Sequence, residues 1–223
     1  MKKFGFLVAT LVSVFLVTSA FAAPSAKFTA EVSEVTLINW TEDDVLSDMI
    51  LSASIKTPNK KDLLIGVSLE TGLYTKTTVK SMNGVLDTQS AVAGISVVVK
   101  VDGVEAYPGA VIFDKRTQTL SAKLGGILSG CTDADGDGHI TIDECTLLPE
   151  EIELILDTMG AHHFNFVAAN LEPGDHIVEV WASIDVGAST TATAKALVGK
   201  GSLTVEEVRA TNSPDGISII FAE

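Results

Sequence analysis

Short segments rich in Val, Ile, Leu and Thr recur throughout the chain, and they constrain its fold more than any other feature of the sequence. Within most of them apolar residues alternate with polar ones over lengths typical of β-strands. The segments comprise residues 28–38, 49–55, 63–69, 95–101, 119–124, 177–184, 192–198, 202–208 and 217–221. With little helical periodicity between the strands, this pattern predicts a mainly β protein built as an antiparallel sandwich.

One turn between strands is predicted with particular clarity. Asp102 and Gly103 lie between Val101 and Val104, so an Asp-Gly pair separates two β-branched residues. Both central residues of the tightest hairpin turn need a positive φ, which Asp and Gly tolerate. We therefore expect a two-residue hairpin turn at this position.

A short stretch near the C-terminal strands resembles a known family of domains. Residues 171–180 read Leu-Glu-Pro-Gly-Asp-His-Ile-Val-Glu-Val, which is a leucine, a Pro-Gly turn and then an alternating run. This is similar to the turn-and-strand entry of immunoglobulin-like and fibronectin-like bacterial domains, with His176 near the place of their corner tyrosine. The resemblance implies an immunoglobulin-like topology for the antiparallel β-sandwich.

One segment has the spacing of an amphipathic helix. Its apolar residues, three and four positions apart, are Ile152, Ile155, Leu156 and Met159. Pro149 suits the first helical turn, acidic residues follow where the helix dipole favours them, and Gly160 provides a suitable end. We therefore expect one short helix over residues 149–159, with its apolar face on the sandwich.

The N terminus has the three parts of a secretory signal. Lys2 and Lys3 precede an uncharged apolar run over residues 4–20, and Ala20 and Ala22 supply the small residues of a cleavage site. We expect cleavage after Ala22, giving a secreted or periplasmic domain of residues 23–223 that is not held in the membrane. The alternative is an uncleaved membrane anchor.

The charge of the chain limits its partners. Removing residues 1–22 takes away two lysines and no acidic residue, so the net charge changes from −14 to −16. A strongly acidic surface repels nucleic acids and anionic lipids, and it attracts divalent cations. We therefore expect no nucleic-acid partner.

Residues 133–144 have the spacing of a twelve-residue calcium loop, DxDxDGxIxxxE. Positions 1, 3, 5, 6, 7, 8, 9 and 12 are Asp133, Asp135, Asp137, Gly138, His139, Ile140, Thr141 and Glu144. The aspartates offer carboxylate oxygens, Gly138 permits the tight turn, and His139 has to supply only its backbone carbonyl. With Thr141 acting through a water and Glu144 through both oxygens, about seven oxygen ligands are available, a number that suits Ca²⁺ rather than Mg²⁺.

This loop resembles those of the EF-hand superfamily, including the single dockerin-type loops of exported bacterial proteins. The resemblance implies Ca²⁺ as the ligand and is confined to the loop. Residues 121–130 contain three glycines and no helical pattern, so no entering helix is expected. The prediction is a loop and helix inserted at about 129–160 between two strands of the sandwich.

The two cysteines, Cys131 and Cys145, flank the loop. An even number of cysteines in an exported chain predicts a disulfide bond. The bond would close a fifteen-residue ring and stabilise it by about 3 kcal/mol in the chain-entropy model. The alternative is a pair of free redox-active or metal-binding thiols.

These features favour a non-enzymatic secreted protein in which Ca²⁺ stabilises a disulfide-closed loop. The alternative is a secreted hydrolase of glycans or peptides, although Gly-x-Ser-x-Gly, His-Glu-x-x-His and Walker motifs are absent from the sequence. Candidate groups for it are the adjacent His162 and His163, which a strand would direct to opposite faces, and the acidic residues Glu42, Asp43, Asp44 and Asp48 beside Trp40. A third hypothesis is adhesion or assembly, in which strand edges or the insertion contact a protein, a polysaccharide or another copy.

Overall fold

The structure is a computed structural model, and it describes residues 27–33 and 47–209. The predicted signal peptide, the strand at 217–221, most of the acidic group beside Trp40 and the end of the 28–38 segment lie outside these residues. Eleven strands are described: β1 (Phe28–Ser33), β2 (Ser47–Thr57), β3 (Lys61–Ser81), β4 (Leu86–Val101), β5 (Val104–Glu105), β6 (Val111–Lys123), β7 (Ile127–Ser129), β8 (Thr146–Leu148), β9 (Glu150–Leu171), β10 (Gly174–Ala188) and β11 (Ala192–Val208).

The strands form two large antiparallel sheets. One has the order β1-β11-β3-β9, and the other has the order β2-β10-β4, with β5 and β6 both pairing with β4. Among the eight longer described strands, only β4 and β6 are consecutive in the chain and adjacent in one sheet. Every other connection between them passes from one sheet to the other, as in an eight-stranded jelly roll.

The hydrophobic core lies between the two sheets. Alternate residues of the longer strands β2, β3, β4, β10 and β11 face it, among them Ile65 and Val67 of β3, Val97 and Val99 of β4, and Val180 of β10, all at most 1% exposed. The period-two pattern read from the sequence therefore supplies one buried face to each sheet. The predictions of a mainly β protein and antiparallel sheets are confirmed, whereas the immunoglobulin-like strand order is not.

The Asp-Gly turn is confirmed in detail. Val101 pairs with Val104, and the two residues between them have φ values of 52° for Asp102 and 82° for Gly103. These positive values are those of the turn that matches the right-handed twist of the flanking strands.

The predicted helix over residues 149–159 is wrong, because this segment is the first half of the 22-residue strand β9. Its register with β3 is unbroken, with Ile152 opposite Val79 and Leu156 opposite Thr75. The same apolar residues that fit a helical spacing also fit a strand, since Ile152 and Leu156 are four apart. Pairing along the length of β3 decides between the two, and no local signal reports that pairing.

The predicted insertion is a β-arm rather than a loop and helix. β7 and β8 form a separate two-stranded ribbon, with Ser129 opposite Thr146, and residues 130–145 join them. We call residues 126–148 the arm. Only Pro149 separates it from β9, and Gly126 donates its N–H to Glu150 Oε2 at 2.9 Å, which ties the base of the arm to the edge of the sheet.

Within residues 27–33 and 47–209, no helix has the length and hydropathy needed to span a bilayer.

Candidate calcium site

The arm holds the two ends of the predicted calcium loop together. Beyond the last pair of the ribbon, a disulfide bond joins Cys131 to Cys145, as predicted from the cysteine count. One residue further in on each side, the N–H of Thr132 donates to the carbonyl of Glu144. The loop therefore begins and ends at a closed neck, and only its middle depends on contacts among its own residues.

Three of the predicted ligands lie close together inside the loop. Asp133, Asp135 and Asp137 each offer one carboxylate oxygen within 4.8 Å of the other two. All three side chains belong to exposed residues. Among the residues that the structure describes, these three form the one group of at least three Asp, Glu, His or Cys side chains spaced closely enough to hold a metal ion.

Glycine geometry brings these aspartates together. Gly138 has φ +82° and donates its N–H to Asp133 Oδ2 at 2.9 Å, while Gly136 donates to Oδ1 of the same residue at 2.7 Å. These positive φ values let the backbone curve around the carboxylate, a conformation that other residues reach only with strain. The hydrogen bond from Gly138, opposed by burial and helped by Gly136, lowers the pKa of Asp133.

The next two donors along the loop also point at carboxylates. The N–H of Asp137 donates to Asp135 Oδ1 at 3.1 Å, and the N–H of His139 donates to Asp137 Oδ1 at 2.7 Å. His139 itself is exposed. The described contact of His139 is made by its backbone N–H, and the predicted role of its carbonyl stays a prediction.

Glu144 connects the two halves of the loop. It ends a short 3₁₀ turn, Ile142–Glu144, and its Oε2 accepts from the N–H and the hydroxyl of Thr141 at 2.7 and 3.2 Å. Its Oε1 accepts from the N–H of Ala134 at 2.8 Å, across the loop. The backbone donors of Thr141 and then Ala134 lower the pKa of Glu144, so this carboxylate stays ionised.

The donor set fits Ca²⁺. The loop presents carboxylate and backbone carbonyl oxygens, and the disulfide bond removes the neighbouring sulfurs from coordination. Hard divalent cations prefer such oxygens, and calcium accepts the larger and less regular sets. Asp133, Asp135 and Asp137 would hold the ion, whereas Glu144 lies outside this group and accepts from the N–H groups of Thr141 and Ala134.

A polar cluster around the buried His176, which the sequence did not reveal, joins β2, β10 and the turn after β4. His176 Nδ1 lies 2.7 Å from Asp102 Oδ2, and its Nε2 lies 3.1 Å from Thr57 Oγ1 and 2.9 Å from the carbonyl of Glu172. The hydrogen bond to Asp102 raises the pKa of His176 against the opposing effect of burial. Burial pushes the pKa of Asp102 upward, but hydrogen bonds from His176 and from the N–H of Ile177 outweigh it and lower this pKa.

The composition of this cluster resembles a hydroxyl, imidazole and carboxylate catalytic set, but its geometry is structural. Thr57 is 1% exposed and donates its hydroxyl to the carbonyl of Glu172. A nucleophile needs access to substrate and a base that accepts its proton. In the sequence, the cluster shows only as an Asp-Gly turn and a histidine in a predicted strand. Neither feature indicates that Asp102 and His176 are in contact.

The remaining sequence candidates are dispersed. His163 contacts Ser68 Oγ at 2.8 Å, whereas His162 lies 3.6 Å from Asp114 Oδ2 on the other side of β9. The prediction that the adjacent histidines face opposite ways is confirmed. Of the acidic group beside Trp40, only Asp48 falls among the described residues, in β2.

Comparison with known proteins shows no family for this chain. No family model and no curated protein matches its sequence. Among solved structures, it is similar to a chain of infectious bursal disease virus, Gx strain, with 12% identity and TM-score 0.38 over 85% of this chain and 35% of that one. A second similarity is to a chain of the T13 IBDV viral particle, with 10% identity and TM-score 0.24 over 91% of this chain and 44% of that one. The chain thus spans less than half the length of either, and similarities this weak carry no conclusion about fold or function.

Proposed function

We propose that this is an exported, non-enzymatic protein whose arm binds one Ca²⁺ ion, and that the ion stabilises the arm rather than transmitting a signal. The observation that carries the proposal is the meeting of Asp133, Asp135 and Asp137 within 4.8 Å in a loop closed by a disulfide bond. The DxDxDGxIxxxE spacing supports it independently.

The disulfide bond indicates an oxidising environment. A secreted or periplasmic location is consistent with the signal sequence predicted for residues 1–22. Isolated extracellular calcium loops commonly bind with dissociation constants of ~10⁻⁴ to 10⁻³ M. Outside the cell, an affinity in this range would keep the site filled under ordinary conditions, which suits a structural ion.

The arrangement of the arm favours a structural role. Signalling EF-hands convert ion binding into the opening of a helix pair. This loop is instead carried by a two-stranded β-ribbon of three residue pairs. The ribbon and the disulfide bond hold the neck, and carboxylates in the middle repel one another. Ca²⁺ would remove that repulsion and order the middle of the arm, which then serves as a contact surface for a protein or polysaccharide partner.

Calorimetric titration of the chain from residue 23 with CaCl₂ tests the proposal. We expect one site with a dissociation constant in the range above, abolished in Asp133→Asn/Asp137→Asn. Asp143→Asn is the matched control, because Asp143 is exposed in the same loop but lies outside the ligand positions. Absence of binding heat at millimolar Ca²⁺, or equal loss in the control, would contradict the proposal.

A further inference from the structure

The outer edge of β9 is long and open. β9 pairs with β3 from Glu150 to Leu171, and on its other side the described residues provide one partner, a single bridge between Val167 and Tyr107. Along residues 151–165, no strand within the described part of the chain covers that side. Such an edge offers a row of backbone groups to any strand that approaches it.

The direction of those backbone groups follows from the register. Val167 donates its N–H to Tyr107 at 2.9 Å and accepts from it at 2.8 Å, so both of its polar groups point away from β3. In an antiparallel ladder this orientation recurs at every second residue. The register is unbroken from Val167 to Glu150, so the odd-numbered residues from Glu151 to Asn165 also direct N–H and C=O outward.

The side chains along this edge are unusually apolar for exposed positions. Ile152, Leu154 and Leu156 face the interior side, yet each is between 37% and 41% exposed, because the sandwich is open between β9 and β6. Gln118 and Arg116 of β6 reach across this opening to the carbonyls of Leu154 and Leu156, at 2.9 and 3.1 Å.

The outer face of β9 adds to the apolar surface. Ile155 is 48% exposed and Met159 is 63% exposed. Natural edges of this length are usually protected by a bulge, a proline or inward-pointing charge. β9 contains no proline, and its register with β3 shows no bulge between Glu150 and Val167.

A second β9 strand, paired in the register that places the two Ile155 residues opposite each other, is a poor partner for this edge. Antiparallel self-pairing centred on Ile155 would place Glu153 opposite Asp157 of the other copy, in both halves of the contact. Directly opposed like charges destabilise a strand pair. A partner strand that is apolar and free of acidic residues avoids this repulsion over the length of the contact.

The chain itself contains such a strand sequence. Residues 216–222, Gly-Ile-Ser-Ile-Ile-Phe-Ala, carry no charge and follow β11, beyond the described residues. Ile217, Ile219 and Phe221 alternate with Ser218 and Ile220, so as a strand they would direct three large apolar side chains to one face.

This segment cannot reach the apolar half of β9 in its own molecule. Val208 pairs with Asp62, beside the pair of Lys61 and Leu171, so the tail starts at the far end of β9. From there to Ile155 is about 50 Å at ~3.3 Å per residue, whereas the eleven residues from 209 to 219 span at most ~40 Å. Tyr107 also occupies the edge near that end, so the donor must be another molecule.

We propose that residues 216–222 of one copy add as an extra strand to the outer edge of β9 in a second copy, covering Ile152, Leu154 and Leu156. Main-chain hydrogen bonds to the odd-numbered residues provide the affinity, and the alternating apolar residues fill the opening beside β6. Because donor and acceptor surfaces differ, the contact is head-to-tail and repeats from copy to copy. It uses no residue of the calcium loop, so the two proposals stand or fall separately.

Sedimentation velocity over a concentration series tests the proposal with the disulfide-bonded chain from residue 23, in calcium. For the chain ending at 223, the average mass of the sedimenting species should rise with concentration, whereas the chain ending at 213 should remain monomeric. Ile219→Asp should abolish assembly, and Asn212→Asp, which adds the same charge outside the apolar run, should not.

The acceptor edge is tested by binding a fluorescent peptide of residues 214–223 to the chain ending at 213. Ile155→Pro removes an outward N–H and leaves the ladder to β3 intact, so it should weaken binding at least about tenfold, whereas Ile155→Val should not. Both variants are made in the chain ending at 213, and an unchanged melting temperature shows that the sandwich is still folded. If Ile155→Pro unfolds the sandwich, Ile155→Asp replaces it as the test variant.

Three outcomes overturn the proposal. The chain ending at 223 stays monomeric at all concentrations, the chain ending at 213 assembles equally well, or the peptide binds Ile155→Pro as tightly as it binds Ile155→Val. The second outcome would indicate contact between other surfaces, such as the β1 or β2 edges.

Discussion

Asp102 and His176 form a short hydrogen bond, 2.7 Å between Oδ2 and Nδ1, that ties the turn after β4 to the beginning of β10. Asp102 also accepts the N–H of Ile177 at 2.9 Å, so one turn residue holds both the side chain and the backbone of the neighbouring strand. The contact makes the stability of the sandwich depend on pH.

The pH dependence has a definite sign. Folding raises the pKa of His176. Its contribution to the free energy of unfolding is therefore fully present below the unfolded pKa of ~6.5 and is lost as pH rises through the folded pKa. The pKa of Asp102 is lowered, so its contribution is present above ~3.9 and is lost as pH falls through the folded pKa. We expect the pair to stabilise the fold most between about pH 4 and pH 6.5.

Urea unfolding of the wild type and of His176→Gln over pH 5 to 9 measures this effect. The stability difference between the two should shrink as pH rises above about 6.5. His163→Gln, at an exposed histidine of the neighbouring sheet, serves as the control. A constant difference across the range would contradict this prediction, because it would show that folding does not shift the pKa of His176.

Gln118 should be important for holding the two sheets together on the open side of the sandwich. It is buried, accepts from Thr75 Oγ1 at 2.8 Å and donates to Thr77 Oγ1 at 2.6 Å. Gln118→Leu would leave both buried hydroxyls without these partners, at a cost of about 1–3 kcal/mol in the free energy of unfolding. Urea denaturation measures the loss, and Thr119→Ala on the exposed face of the same strand should change it little.

Gly138→Ala should weaken calcium binding through backbone strain alone. An added Cβ would meet nothing within 4 Å, but φ is +82°. The left-handed conformation costs other residues about 1–2 kcal/mol, which corresponds to about a tenfold loss of affinity. Gly125→Ala is the matched control, since its Cβ also meets open space and its φ is not in the strained range; equal effects of the two in calorimetry would contradict this explanation.

Removing the disulfide bond should loosen the calcium loop without unfolding the body of the protein. In Cys131→Ser/Cys145→Ser the ion itself would have to close the ring, which the chain-entropy model values at about 3 kcal/mol. The ribbon still holds the neck, so we expect a smaller loss, about tenfold in calcium affinity. The melting temperature of the calcium-free sandwich should stay nearly unchanged, and a large fall would mean that the arm supports the core.

Local patterns predicted those parts of the fold that local chemistry determines. The strands follow from alternation, the turn at Asp102 from its tolerance of positive φ, and the disulfide bond from two cysteines in a chain predicted to be exported. The grouping of Asp133, Asp135 and Asp137 likewise follows from residues within one short loop.

Contacts between distant residues were not predictable in the same way. His176 and Asp102 are 74 residues apart, and nothing near either one indicates the other. The order of strands depends on which distant edges meet, so the jelly-roll connectivity was not visible in the alternating pattern. In β9, the spacing of Ile152 and Leu156 fits both a helix and a strand. Only pairing with β3 makes this segment a strand.

The positions of the last two strands have a consequence for how the protein folds. β11 lies between β1 and β3, and β10 lies between β2 and β4, so the central places in both sheets belong to the final strands to be made. A chain that emerges N terminus first, from a ribosome or across a membrane, cannot close the β2-β10-β4 sheet until Ala188 has appeared, or the other sheet until Val208 has. Its earlier strands must wait with their inner faces uncovered, and long-range pairing of this kind is slow. During that interval the nascent polypeptide depends on its strong negative charge, and on any chaperone it meets, to avoid aggregation.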